Sequence, residues 1–418
     1  MPYTSYEEYS DLLDKTLDKV LISCNNDSES LGSSYIPNWN AKVKNVTVLL
    51  SASRGGSSLL KEVLSQSPDV VSLPGEEEPY YILTKNVYPF GSTSDMIVNL
   101  KSMDKILKMM WYDLGLNDTS SYYEKHSVAE HWYRRLAFQF PERDFNYLDV
   151  LSKVEAHYHS DIHKQDYDFD TNNFLIDLLG PDAGLYDVTT FNSAFTKQFK
   201  IEEPPFVVPG NRKPFTEKDL ATKTFLFKTP QDYCRPGIFE QMFPNAKVTY
   251  IHLTRGYAQS VNGLMDGWLS DTGFFSYNVG LTGIKLDIKG YSDVHPMGQD
   301  WWNFDLFPGW TDYINKPLSE VCAAQWKAAH YWITNEFNVK KRFKFEDFLA
   351  DKQSTLDDIC NTIGISSWKL DELPNVMSTD KPKAKRWHKR KDLMLSMQQD
   401  TSSVMTMLDY STDTETWI

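Results

Sequence analysis

The sequence predicts an α/β fold: three layers, α/β/α, with helices on both faces of a central parallel sheet and a large, mainly helical insertion. Three observations predict it. Short apolar runs recur along the chain, helical patterns separate them, and the first run leads through a glycine-serine turn into a helix. Strands that alternate with helices build parallel sheets, because each crossover helix covers a face of the sheet. Ligands of such sheets sit at the carboxyl ends of the strands.

Tyr6, Tyr9, Leu13, Leu17 and Val20 recur at helical spacing, so residues 6–21 predict an amphipathic helix packed on the main domain. A polar stretch, 25–40, leads to the first strand, VTVLL, and a second strand is DVVSL. Three further buried strands are read in TFLFKTP at 224–230, AKVTYIHLTR at 246–255 and KRFKFEDF at 341–348. Two intervals break the alternation. Residues 79–220 hold helical patterns such as MDKILKMMWYDLGL and VAEHWYRRLAFQF, and 271–317 is rich in aromatics, Gly and Pro, as in WWNFDLFPGW. Both are read as caps or lids on the substrate side. The organisation is then an N-terminal helical extension over 1–40, one elaborated domain over 41–392 and a tail over 393–418.

Composition bounds the function. The chain has 418 residues, 41% of them hydrophobic, and a formal net charge of -14, which argues against general affinity for nucleic acid or an anionic membrane. Any anion site must be local. Cys24, Cys234, Cys322 and Cys360 lie far apart without C-x-x-C spacing, so neither a zinc cluster nor a disulfide framework is expected, and a reducing compartment is the simplest reading. The segment MPYTSYEEYSDLLDKTLDKV has no apolar signal core and no run approaches bilayer length, so a soluble, cytoplasmic chain is expected.

Five constellations carry chemistry. In SASRGGSS, Gly55 and Gly56 let the backbone turn tightly, Ser57 and Ser58 add hydroxyls at a helix start, and Arg54 adds a forked cation suited to phosphate or sulfate oxygens. The loop has the outline of a P-loop, without the lysine that reaches terminal phosphates in nucleoside-triphosphate sites. On residues alone it reads equally as a serine-capped helix after a glycine turn. Lys228 ends the apolar run FLF, placed either for the ligand crevice or as a solvated strand end. Arg255 ends the run TYIHLT, with Ser260 and Asn262 in the first turns of the helix that follows; His252 inside the run reads as a hydrogen-bonded core residue. PKAKRWHKRK, 382–391, is a dense basic run, either a solvated face or a flap over an anion. Glu76, Glu77 and Glu78 are three adjacent acids, either surface decoration or the source of a general base. His126, His131, His157, His159 and His163 are weaker candidates for that base.

Taken together, these segments resemble the PAPS-dependent sulfotransferase family, closest in motif style to its bacterial and tyrosylprotein branches. SASRGGSSLLKEVLSQSPDVVSLPGEEE is similar to that family's 5'-phosphosulfate loop, helix and base region, and FLFKTPQDYCRPGIFEQMFPNAKVTYIHLTRG to its K-x-P strand and 3'-phosphate arginine strand. FKFEDFLADKQSTLDDICNTIGI resembles its helix entry, and LFPGWTDYINKPLSEVCAAQWKAAHYWI the lid and tryptophan helix before it. The resemblance covers roughly 45–80 and 220–392. It implies that Arg54, Gly55, Gly56, Ser57 and Ser58 hold the 5'-phosphosulfate of PAPS (3'-phosphoadenosine-5'-phosphosulfate; product PAP), that Lys228 stabilises the bridging region, and that Arg255 binds the 3'-phosphate. Lys385 and Arg386 match the closing segment, and Glu77, or failing it Glu76, matches the base. One departure stands out: the family places a serine eight residues after the 3'-phosphate arginine, where this chain has Gly263, so either Ser260 or Asn262 would supply the missing group or the 3'-phosphate would be held less tightly.

The expected reaction moves a sulfuryl group from PAPS to a hydroxyl of a small-molecule acceptor, with Glu as base, Arg54 and Lys228 stabilising the departing phosphate, and no metal. Sulfuryl transfer resembles phosphoryl transfer in its loose, in-line transition state, so positioning and cations carry most of the catalysis. The alternatives are a nucleotide-binding relative that has lost the chemistry, and a small-molecule kinase.

Overall fold

Apolar strands buried on both faces lose their hydrophobic alternation in sequence yet still send successive side chains to opposite sides. The computed structural model shows this directly. It describes residues 5–30, 35–73, 75–114, 144–159, 216–270, 275–374 and 384–417, with a few isolated positions between 125 and 178. The sheet consists of β1 (Asn45–Ser51), β2 (Val70–Ser72), β3 (Thr224–Phe227), β4 (Lys247–Thr254) and β5 (Val339–Lys344), in the order β2-β3-β1-β4-β5. Every pairing is parallel, and Asn45 lies level with both Thr224 and Lys247. These are the five predicted strands, and the α/β class read from the sequence is the one observed.

Along β1, Val46, Val48 and Leu50 enter one core while Leu49 enters the other. The core on the Leu49 side is completed by α2 (Ser57–Leu64), α7 (Phe345–Ala350) and α8 (Lys352–Ile363), through Leu60, Val63, Phe348, Leu356 and Ile359. The opposite, larger core is built by α3 (Glu78–Leu83), α4 (Met103–Leu114), α5 (Tyr257–Trp268) and α6 (Leu318–Glu336). On that face the chain also adds α1 (Tyr6–Ser30), whose Tyr9, Leu13, Leu17 and Val20 are the buried stripe expected from their spacing.

Strand order decides where a ligand can sit. After β1 the chain moves to β2 and β3 on one side, and after β4 to β5 on the other, so the connections diverge between β1 and β4. Crevices open at the carboxyl ends of strands at such a switch point.

Two further segments also contribute to the main core. The aromatic interval 271–317 pairs Phe275–Asn278 with Trp301–Asn303, and Trp301, Trp302, Phe304, Phe307 and Trp310 all bury in the main core. Their rings close the core on itself, as buried aromatics usually do. Residues 393–418, set apart as a tail, contribute Met394, Met397, Val404, Met405, Leu408 and Trp417 to the same core. Most of the 79–220 interval lies outside the described residues, His126, His131 and His163 among it.

Candidate functional site

β1 ends at Ser51, and the chain turns through residues 52–56 into α2. Arg54 has φ 63° and Gly56 φ 95°, both left-handed. A Cβ at Gly56 would stand 2.4 Å from the Phe345 ring, so backbone conformation and packing both require glycine there. The turn leaves α2 without a side-chain cap, so the N–H groups of its first turn point out at the loop mouth. The N-cap is Gly56, so the helix is not serine-capped, and an uncapped N-terminus with its positive dipole end is able to receive an anion. Beneath the loop, Ser53 donates to the Asp305 carboxylate at 3.0 Å and Tyr233 donates to its other oxygen at 2.6 Å. Burial pushes the Asp305 carboxyl up to about 6.

Lys228 follows β3, the neighbour of β1, so its side chain emerges beside α2. It is only 2% exposed, yet its ammonium donates to Ser58 Oγ at 3.1 Å and to Glu76 Oε1. A buried ammonium is stable only with such partners. The cation and the serine hydroxyl therefore meet at the cradle.

The three adjacent acids leave the chain in three directions. Glu76 pairs with the Lys228 ammonium and keeps 23% of its side chain exposed. Glu77 is 1% exposed; its Oε1 accepts the Lys228 backbone N–H at 3.3 Å, its Oε2 accepts the Thr229 hydroxyl, and its own N–H donates to Thr229 Oγ1 at 2.9 Å. Burial pushes the Glu77 carboxyl up, against the pull of the Lys61 ammonium, which donates to the Gly75 carbonyl. Glu78 turns into the core, where Oε2 takes the buried Arg235 at 2.5 Å and Oε1 takes the Tyr277 hydroxyl at 3.1 Å.

Arg255, just beyond β4, donates to the Arg54 carbonyl at 3.1 Å and lies 5.0 Å over the Phe345 ring. Burial pulls its guanidinium down, and the negative charge of Glu346 opposes that; Glu346 also accepts the adjoining Gly256 N–H at 2.8 Å. Ser260 is fully buried, and its hydroxyl turns back to the Arg255 carbonyl at 3.4 Å. A serine in a first helical turn bonds locally in this way, and here the Ser260 hydroxyl faces the Arg255 carbonyl. A Cβ at Gly263 would stand 3.5 Å from Arg54 Cβ, so α5 and the loop after β1 touch at that position. From the C-terminal run, Arg386 reaches Asp266 on α5 at 3.2 Å, while Lys385 is exposed with φ 58°.

The structure thus brings Arg54, Ser57, Ser58, Lys228, Glu76 and Arg255 to the carboxyl ends of β1, β3 and β4. His252 is a core residue, bonded to His330 at 2.9 Å, and His157 pairs with Asp177 at 2.7 Å. Sequence reasoning missed Asp266, Asp305 and Glu346. Asp305 and Glu346 sit in the quoted segments WWNFDLFPGW and FKFEDF, but an acid inside an aromatic run is the only signal either gives. Among the described residues, no group of His, Cys, Asp and Glu is arranged to hold a metal ion, and no helix is long and apolar enough to cross a membrane.

No protein-family model matches the chain, and no curated protein does. Among solved structures it is similar to a sulfotransferase from Alicyclobacillus acidocaldarius, with 11% identity, a TM-score of 0.36, and coverage of 88% of this chain and 97% of that one. A sulfotransferase domain from the curacin biosynthetic pathway is 10% identical, with a TM-score of 0.37, covering 88% of this chain and 99% of that one. A sulfotransferase from Mycobacterium tuberculosis is also 10% identical, with a TM-score of 0.34 over 84% of this chain and 75% of that one. The functional reading rests on the site's own residues.

Proposed function

We propose that the chain is a sulfotransferase that takes PAPS as donor and a small-molecule hydroxyl as acceptor. The observation that carries the reading is the meeting of the uncapped α2 N-terminus with Lys228 and Ser58, 3.1 Å apart, at the carboxyl end of a parallel sheet. The donor set fits a phosphosulfate: outward N–H groups, a hydroxyl, an ammonium, and arginines at positions 54 and 255. When bound, PAPS supplies the activated sulfuryl group and a phosphate leaving group.

The chain's residues would divide the work as follows. The α2 amides, Ser57, Ser58 and Arg54 hold the phosphosulfate end, and Lys228 offsets charge as it grows on the departing oxygen. Arg255, fixed by Arg54, Glu346 and Phe345, holds the far phosphate of the nucleotide. For the base, the resemblance favours Glu77, but the burial of that carboxylate and the bonds to both its oxygens support Glu76. Glu76 shares the Lys228 ammonium, so an anion that draws Lys228 away frees a carboxylate beside the transferring group.

The test combines calorimetric titration with PAP and turnover of PAPS over a panel of hydroxyl compounds. Arg54→Ala and Lys228→Ala should each cost about 100-fold or more in turnover, the usual consequence of losing one fixed donor to developing charge. Glu76→Gln should cost more than Glu77→Gln. Folded Arg54→Ala and Lys228→Ala proteins with full PAPS-dependent turnover would refute the assignment. Tight PAP binding without transfer to any acceptor would instead favour a nucleotide-binding relative, and ATP-dependent phosphorylation a kinase.

A further inference from the structure

One carboxylate gathers three cations of the C-terminal basic run. Asp266, on the third turn of α5, accepts from Lys389 Nζ at 2.6 Å, Arg390 Nη1 at 2.7 Å and Arg386 Nη2 at 3.2 Å. Asn262, one turn earlier on the same face, accepts from Arg390 Nη1 at 2.6 Å and donates to Asp266 at 3.4 Å. Burial alone would raise the Asp266 carboxyl, yet the bonds from Lys389 and Arg390 hold it below the usual carboxylate range. Lys389 and Arg390 by themselves outnumber its single charge, so the cluster stays cationic.

The position of this cluster gives it meaning. Between Asn262 and Asp266 lies Gly263, whose Cβ position is 3.5 Å from Arg54 Cβ and 4.0 Å from Arg54 Nε. One face of α5 therefore meets the loop arginine and the basic run together. Trp387, inside the run, is buried against Trp417 with ring centroids 5.3 Å apart, so an apolar contact holds the run in addition to Asp266.

We propose that Asp266 is the positioning residue of the basic run: it holds Arg386, Lys389 and Arg390 on the face of α5 that also meets Arg54, so that the run walls the same anion site. The proposal rests on the sulfotransferase reading for the identity of the anion, and on geometry alone for the ordering of the run. Asp266 acts through the three cations, by fixing where they stand.

The experiment compares the full-length protein with its Asp266→Asn and Asp266→Glu variants. PAP and adenosine 5'-monophosphate are titrated by calorimetry, and trypsin cleavage after residues 385–391 is followed by mass spectrometry. Loss of bonds between charged groups corresponds to about a tenfold effect. Asp266→Asn should weaken PAP about tenfold, weaken adenosine 5'-monophosphate less, and speed cleavage of the run; Asp266→Glu should restore most of each. A purely structural role would lower the melting temperature without separating the two nucleotides. Unchanged PAP affinity in Asp266→Asn overturns the proposal, whether or not cleavage accelerates. If the unsubstituted protein binds no PAP, the sulfotransferase reading fails first, and the cleavage rates then decide alone: faster cleavage supports the positioning role and an unchanged rate overturns it.

Discussion

Gly263 shows how one residue couples helix stability to the site. It occupies the interior of α5, where glycine costs backbone entropy, and a Cβ there would meet Arg54 at ordinary contact distance, 3.5 Å. Nothing in the packing therefore demands glycine, in contrast to Gly56. Gly263→Ser should raise stability by about 0.5 kcal/mol, from helix propensity, and add a hydroxyl beside Arg54. PAP affinity should rise a few-fold. Urea denaturation reads the first effect and calorimetry the second; weaker binding would mean that the added side chain displaces Arg54, and that the open position is needed. Glu76, Glu77 and Glu78 make the complementary point. Three identical neighbours in sequence become a half-buried partner of Lys228, a buried clamp on Thr229 and a core partner of Arg235, because the chain turns into α3 at that point.

Between elements, β4 and α6 are joined by a buried histidine pair. His252 and His330 share one hydrogen bond of 2.9 Å and are nearly inaccessible to water. Burial pushes His330 down to about 3 and His252 well below its ordinary value, with Arg342 adding to both. The sign follows from which state binds protons. The unfolded chain takes up protons near pH 6.5 while the folded pair stays neutral, so this contribution is present above pH 6.5 and is lost as pH falls toward 3. The size is on the order of a few kcal/mol. His330→Gln should lose less stability than the unsubstituted protein between pH 7 and pH 4.5 in urea titrations; parallel losses would mean that other groups carry the acid sensitivity. The apolar run around His252 marked it as core, but its partner is 78 residues away and only the packing of α6 on β4 reveals it. The same distinction runs through the site. Lys228 and Arg255 were legible because a cation at the end of an apolar run lands at the sheet's carboxyl edge. The role of Asp266 was illegible because an acid on a helix has no sequence mark until residues 386–390 fold back onto it. Spacing places Ser260 near Arg255, but only the structure shows that its hydroxyl turns back to the Arg255 carbonyl.

At the scale of the whole chain, residues 410–417 pack beside both groups of cations, Arg255 and the basic run. Tyr410 donates to Glu346 Oε2 at 2.8 Å, while Glu346 Oε1 holds the Gly256 N–H that follows Arg255. Trp417 packs 5.7 Å from Tyr257 at the start of α5 and 5.3 Å from Trp387 within the basic run. The last ten residues thus touch both cationic walls, one through Glu346 and one through Trp387. Tyr410→Phe keeps the ring and removes only the hydroxyl, leaving one oxygen of Glu346 without that donor. Stability should fall by about 1–3 kcal/mol, the cost of losing a hydrogen bond to a charged group in a half-buried place. PAP binding should weaken with it, because Glu346 positions the turn that carries Arg255. Urea denaturation and calorimetric titration on the same protein separate the two effects: a stability loss with unchanged PAP affinity would make the C-terminal segment a structural closure alone, and a loss in both would make it part of the site.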